Sequence, residues 1–296
     1  MTTISTLPPL PNGVSLDHEG PLPLLRGSSG ACSFSLSLQG AHLLNWTPKG
    51  QSPVVWLSPD AKFLPGKSPR GGIPICWPWF GPHQQPNYPA HGVARTGEWS
   101  LLEARLDDHG DVFLRFKLLP SAESQALYPE EIDLEVSYRL GAQLEVELTT
   151  HNHTSTAFEL TEALHTYLGI GDISDLSIEG LEATDFIDKV DQGTRHRQKG
   201  LIQITGETDR VYLSTQTRCS VTDPILQRRI VIDKEGSAST IVWNPWSEKA
   251  KSLGDLGDSG YRQMVCIESG NALDTVVSVA PGDTHRLWVR YTSLPL

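Results

Sequence analysis

The sequence predicts an all-β protein, a sandwich or barrel of many short strands, and three observations carry that prediction. Apolar residues alternate with polar ones at a period of two wherever a pattern is visible; turn residues recur between these runs; convincing amphipathic helices are almost absent. Strand side chains point alternately to opposite faces, so such alternation marks strands with one face on a core.

Turn signals open the chain, with PNG at 11–13, PKG at 48–50 and LPG at 64–66. VFLRFKL at 112–118 is a strand, entered through the turn DDHGD at 107–111. SAESQALY at 121–128 offers a turn or two of helix, stopped at Pro129 because proline has no N–H to donate and its ring clashes with the preceding turn. In DLEVSYRL, Leu134, Val136, Tyr138 and Leu140 share one face and Asp133, Glu135, Ser137 and Arg139 the other. QLEVELTT repeats the pattern with Leu144, Val146 and Leu148, so 133–150 reads as a hairpin. STIVWN (239–244), DTVVSVA (274–280) and RLWVRYT (286–292) complete the series, with turns at 233–237 and 280–283.

The chain has 296 residues, 38% hydrophobic and 20% charged, as soluble globular proteins do. No composition break or internal repeat divides it. A net charge of -11 argues against non-specific nucleic-acid binding, which needs a basic face. No run approaches the roughly 20 apolar residues of a membrane helix, and MTTISTLPPLPNGV lacks the basic and apolar regions of a secretory leader. The expectation is a cytoplasmic protein with no membrane or nucleic-acid partner. Cys32, Cys76, Cys219 and Cys266 lie far apart, which signals neither a zinc site nor a disulfide framework; they are expected to be reduced and mostly buried.

Ser68 to Trp99 departs from this background, crowding prolines and glycines with tryptophans, histidines and arginines. Gly71 and Gly72 allow a tight turn or close approach to a ligand, and Arg70 can grip anionic oxygens with two parallel hydrogen bonds. His91 and Arg95 form a group with it. Trp77, Trp79 and Phe80 supply flat faces that stack on the C–H surface of a sugar, with Pro74, Pro78 and Pro82 stiffening the backbone.

His165 lies in TEALHTYLGI, on a strand, where a histidine is equally a core residue with satisfied hydrogen bonds. Glu268 follows the apolar run Met264 to Ile267. Burying a lone carboxylate is costly, so it is either functional or at a strand end leaving the core at Ser269-Gly270-Asn271. His151-Asn152-His153 reads as solvent-facing strand-end residues rather than a metal site. No dinucleotide fingerprint, P-loop or GxSxG motif occurs.

RGGIPICWPWFG (70–81), PAHGVAR (89–95), LHTYLGIGD (164–172), TDRVY (208–212), VWNPW (242–246) and CIESGNA (266–272) occur in the order found in hexose-6-phosphate mutarotases. From about residue 25 to the end, the chain resembles these glucose-6-phosphate 1-epimerases of the aldose 1-epimerase, or galactose mutarotase-like, family. The resemblance implies a large single-domain antiparallel β-sandwich over 1–296, with 1–24 a peripheral N-terminal extension. It also implies a sugar-phosphate substrate and no metal or other cofactor; the chain is expected to act as a monomer. It gives His165 as general acid, Glu268 as general base, Arg70, His91 and Asp209 as substrate-binding residues, and Arg95 as part of a phosphate site. TEALH lacks the Asn that sugar mutarotases carry a few residues before the histidine, which favours the sugar-phosphate branch.

Mutarotation opens a cyclic hemiacetal and recloses it on the other face. A carboxylate suits removal of the anomeric proton and an imidazolium suits protonation of the ring oxygen. Side by side, each charge is expected to hold the other ionised. Two rivals stand beside this reading: a non-catalytic carbohydrate-binding sandwich, and a glycoside hydrolase using Glu268 and Asp209 as its carboxylate pair.

Overall fold

In the computed structural model, which describes residues 7–296, antiparallel strands make up nearly all the regular structure. Ile132–Leu140 and Leu144–Asn152 form the hairpin expected at 133–150, with every second residue buried. They belong to an eight-stranded back sheet ordered Ser177–Glu179, Cys219–Asp223, Arg228–Glu235, Thr284–Pro295, Leu144–Asn152, Ile132–Leu140, Val112–Leu118, Trp99–Leu106. The front sheet is ordered Thr194–Arg197, Asp185–Asp188, Thr208–Tyr212, Ser239–Asn244, Met264–Asn271, Glu162–Leu164, Ile75–Cys76, and Tyr167–Gly169 also pairs with Met264–Asn271. A four-stranded meander, Val14–Glu19, Leu22–Ser28, Cys32–Ser37 and His42–Pro48, joins the front sheet through the bridge between Leu43 and Ile73. Leu22 and Leu24 are buried in that meander.

One hydrophobic cluster runs between the sheets, from Trp46 and Trp77 through Phe116 and Tyr138 to Tyr291. The four cysteines are free and buried. No helix among the described residues is long and apolar enough to cross a membrane.

Several local expectations change. RLWVRYT extends to Thr284–Pro295, whereas DTVVSVA shrinks to Val277–Val279, because Thr275 turns the chain by accepting the Ala272 N–H at its Oγ1. The helix at 121–128 is a single turn, Ala122–Gln125, held by a reciprocal cap between Ser121 and Ser124. A second helix, Trp246–Ser252, went unforeseen: it buries only Ala250, so no apolar stripe marks it in the sequence. Asn152 is not solvent-facing; it is buried and donates to the carbonyls of Thr156 and Val279, tying down a strand end.

Candidate active site

All eight residues of Met264–Asn271 are buried, so Glu268 does not stand where a strand runs out into water. Leu164 pairs with Ser269 and Tyr167 with Cys266, which leaves His165 and Thr166 opposite Glu268 and Ile267. The ladder opens there, and the His165 N–H turns to the Pro74 carbonyl at 3.0 Å. Directly opposed residues share a face. On one face the rows are therefore His165, Glu268 and Ile241, then Tyr167, Cys266, Trp243 and Asp209. Thr166 points the other way and meets the Tyr291 hydroxyl of the back sheet at 2.6 Å. One strand thus anchors inward and presents its chemistry outward.

That outward face floors a cavity of about 990 Å³, large for a small-molecule site. Its wall is the segment singled out in the sequence. Gly71 and Gly72 hold φ of 116° and 70°, and a Cβ on Gly72 would lie 2.3 Å from the Leu43 carbonyl oxygen, so close backbone approach is why glycine stands there. His91 holds φ of 65°, a region that costs a non-glycine residue of the order of 1 kcal/mol. Its Nδ1 accepts the Gly81 N–H at 3.3 Å, which leaves Nε2–H as the donor of the neutral ring. Burial lowers its pKa to about 3, with Arg95 and Lys189 adding to the effect, so the ring is neutral.

His165 Nδ1 lies 3.4 Å from Glu268 Oε1, and neither His165 Nδ1 nor Glu268 Oε2 has a hydrogen-bond partner. Tyr167 stacks on the imidazole at 5.0 Å, while Trp243 and His91 meet it edge-on. Burial pushes His165 well below the ordinary imidazole value, and His91, Arg95 and Arg70 push the same way. Burial also pushes Glu268 well above the ordinary carboxylate value, against the pull of Lys189. The expected charged resting pair is therefore corrected: burial favours two neutral groups, because desolvation outweighs their mutual attraction. A neutral acid beside a neutral imidazole holds the same single proton as a carboxylate beside an imidazolium. The two forms are tautomers of one pair.

Arg70 donates to Asp255 at 3.0 Å and to the Tyr167 hydroxyl at 3.2 Å; burial opposes its charge, but these two partners keep the guanidinium protonated. Arg95 gives one N–H to the Ala90 carbonyl. With Lys62, Lys67 and Lys189 they set five cations against Asp209, Asp255 and Glu268 around the cavity, a positive locus on an acidic protein. Donor atoms of His165, Cys266 and Glu268 lie within 4.8 Å of one another. Burial pushes the Cys266 thiol well up, and a protonated thiol is a poor metal ligand.

Of the residues read from the sequence, His165, Glu268, Arg70, Phe80, His91, Arg95 and Asp209 all line this cavity. Trp79 stands apart: its indole donates to the Pro89 carbonyl and packs with His83 and Tyr88 in an aromatic cluster on the loop's other side. Sequence reading missed Lys189, Tyr167 and Trp243. Two of these could have been found, since each lies two residues, one strand repeat, from a residue on the site face.

This antiparallel sandwich, with an imidazole and a carboxyl opposed on one sheet face, belongs to the aldose 1-epimerase family, whose model matches residues 24–292. It is 40% identical over 81% of its length, and 80% of the relative's, to an Escherichia coli protein named "Putative glucose-6-phosphate 1-epimerase". The crystal structure of a Salmonella typhimurium "putative mutarotase (YeaD)" superposes with a TM-score of 0.92 at 33% identity, covering 99% of this chain and 97% of that one. A galactose mutarotase-like protein from Lactobacillus casei shares the fold at 15% identity and a TM-score of 0.72, over 92% of this chain and all of that one.

Proposed function

We propose that this aldose 1-epimerase interconverts the α and β anomers of a hexose 6-phosphate, glucose 6-phosphate in the first instance. The observation that carries this reading is the His165–Glu268 pair, 3.4 Å apart in a cavity where five cations outnumber three carboxylates. A neutral hexose needs no such excess, and a phosphate does.

The substrate's hydroxyls supply the hydrogen bonds that Glu268 lacks, which draws the pair toward carboxylate and imidazolium. Glu268 then takes the proton of the anomeric hydroxyl. The C1–O5 bond breaks as C1 becomes an aldehyde, and His165 gives its proton to O5. Rotation about C1–C2 turns the other face of the aldehyde to O5, and the same proton transfers run backward to close the ring. The pair ends with the single proton it began with. Phe80 offers a flat face for the ring's C–H surface, and neutral His91 offers one N–H to a sugar oxygen. Arg95, the less committed arginine, and Arg70 hold the phosphate. Hexose phosphates suit a cytoplasmic location. The glycoside-hydrolase reading loses ground because Asp209, its second carboxylate, is 3.5 Å from Lys189 Nζ.

Polarimetry on freshly dissolved α-glucose 6-phosphate and α-glucose tests this. The expected result is acceleration of both, with kcat/KM higher for the phosphorylated sugar by at least about 30-fold, the worth of two charge-assisted hydrogen bonds partly offset by desolvation. Equal kcat/KM values would remove the phosphate from the proposal.

A further inference from the structure

Lys189 follows the strand Asp185–Asp188, and its N–H donates to the Asp209 carbonyl at 2.8 Å, so the two residues stand side by side on the site face. Lys189 Nζ lies 3.5 Å from Asp209 Oδ1 and 5.1 Å from the centre of the Phe80 ring, and both residues line the cavity. Asp209 lies opposite Trp243, and Trp243 opposite Cys266, two residues from Glu268 on the same face. Two strand spacings across and two residues along put Asp209 about 12 Å from Glu268 at the backbone, across a cavity rather than across packed core. Glu268 Oε2 is buried without a partner, so it responds to whatever charges face it.

The other groups facing Glu268 are His165 on the adjacent strand and Tyr167, Cys76 and Cys266, all three held neutral because burial pushes them up, as it does Tyr291 on the inner side of the sheet. Arg70, His91 and Arg95 on the loop bear on His165. Lys189 and Asp209 are the pair of opposed charges that faces the carboxyl from the strands beyond Trp243.

We propose that Lys189 and Asp209 are positioning residues for the general base, a pair of opposite charges that sets, from the far side of the cavity, how readily Glu268 becomes a carboxylate. This rests on the epimerase reading. The ammonium favours the carboxylate and the neighbouring carboxylate disfavours it, so removing either moves the site in opposite senses. A salt bridge serving only to hold two strands together would not do this. Its two halves would weaken the fold in the same sense.

The test is the pH dependence of kcat/KM for anomer exchange in wild type, Lys189→Met, Lys189→Arg and Asp209→Asn. Below its acid limb the pair carries a second proton and cannot act as base. Losing the ammonium makes Glu268 hold its proton more tightly, so Lys189→Met shifts the acid limb up by about half a pH unit, while Asp209→Asn shifts it down by a similar amount. Lys189→Arg keeps the charge and leaves the limb in place. The position of the limb is read apart from its height, so any loss of sugar contacts in Asp209→Asn does not obscure it. Carbon-13 titration of the Glu268 carboxyl gives the same two directions without activity. If wild type exchanges anomers but both substitutions shift the limb the same way, or neither shifts it, the inference is overturned. If wild type shows no exchange, the functional reading fails and the carboxyl titration still decides this one.

Discussion

Two buried histidine–glutamate pairs lie on opposite faces of the same front sheet, and they are built differently. On the inner face, Glu162 Oε1 accepts from His285 at 2.7 Å and from Asn271 at 3.1 Å, while its Oε2 is buried without a partner. On the outer face, Glu268 and His165 stand 3.4 Å apart, and the Glu268 carboxyl makes no hydrogen bond to any described residue. The inner pair joins the front sheet to the back one through a direct hydrogen bond. The outer pair is spaced and unsatisfied, as suits groups whose partners arrive with the substrate. Shared residue types therefore say little about role; a short hydrogen bond between histidine and glutamate, present in the fastener and absent in the reacting pair, separates them.

The sharpest way to break this comparison is to disable each pair in turn. Glu268→Gln is expected to lower kcat/KM by about 10³-fold, within the span of general acid–base contributions, while leaving stability equal or higher because a poorly satisfied acid is removed. His285→Ala is expected to do the reverse, costing about 3 kcal/mol in urea unfolding because it strands a buried partner, with little change in activity per folded molecule. Equal stability losses in both variants would mean the distinction is empty.

A smaller effect sharpens the division of labour in the cavity wall. Arg95→Ala is expected to raise KM for glucose 6-phosphate about 30-fold, close to 2 kcal/mol for a charge-assisted bond, and to leave the kinetics with plain glucose nearly unchanged. A rise of equal size for both sugars would place Arg95 on the ring rather than the phosphate.

The smallest effect concerns stability and acid. His42 is fully buried beneath the wall, its Nε2 2.9 Å from the Gly71 carbonyl, and burial lowers its pKa from 6.5 to about 4. Below pH 6.5 the unfolded chain binds a proton there that the folded one refuses. Stability is thus full above that pH and declines toward pH 4, by about 2 kcal/mol from this residue between pH 6.5 and 5. Urea unfolding at pH 7 and pH 5 measures the fall, and His42→Gln should shrink it. An unchanged fall in that variant would assign the acid sensitivity elsewhere.

The back sheet was legible because its strands bury one face and alternate cleanly, as Ile132–Leu140 does. Met264–Asn271 was not, since all eight of its residues are buried and the period-two signal vanishes; a strand end and a buried strand then look alike. His165 and Glu268 could be named from local context and resemblance, but their opposition depends on a cross-strand register between residues a hundred positions apart. Lys189 escaped notice because a charged residue after Asp188 looks like any solvated strand end. Trp79 was legible as an aromatic face, yet which side of the loop it takes is decided by Tyr88 and His83 packing against it. The pair's protonation was misjudged because sequence gives proximity and says nothing of desolvation.

Two-dimensional exchange NMR on equilibrated glucose 6-phosphate bears most directly on the proton-sharing pair. With wild-type protein, cross-peaks between the α and β anomeric protons should grow in proportion to protein concentration, and with His165→Ala or Glu268→Gln they should fall to the spontaneous rate. Exchange undiminished in both folded variants, or no acceleration by wild type, would contradict the account.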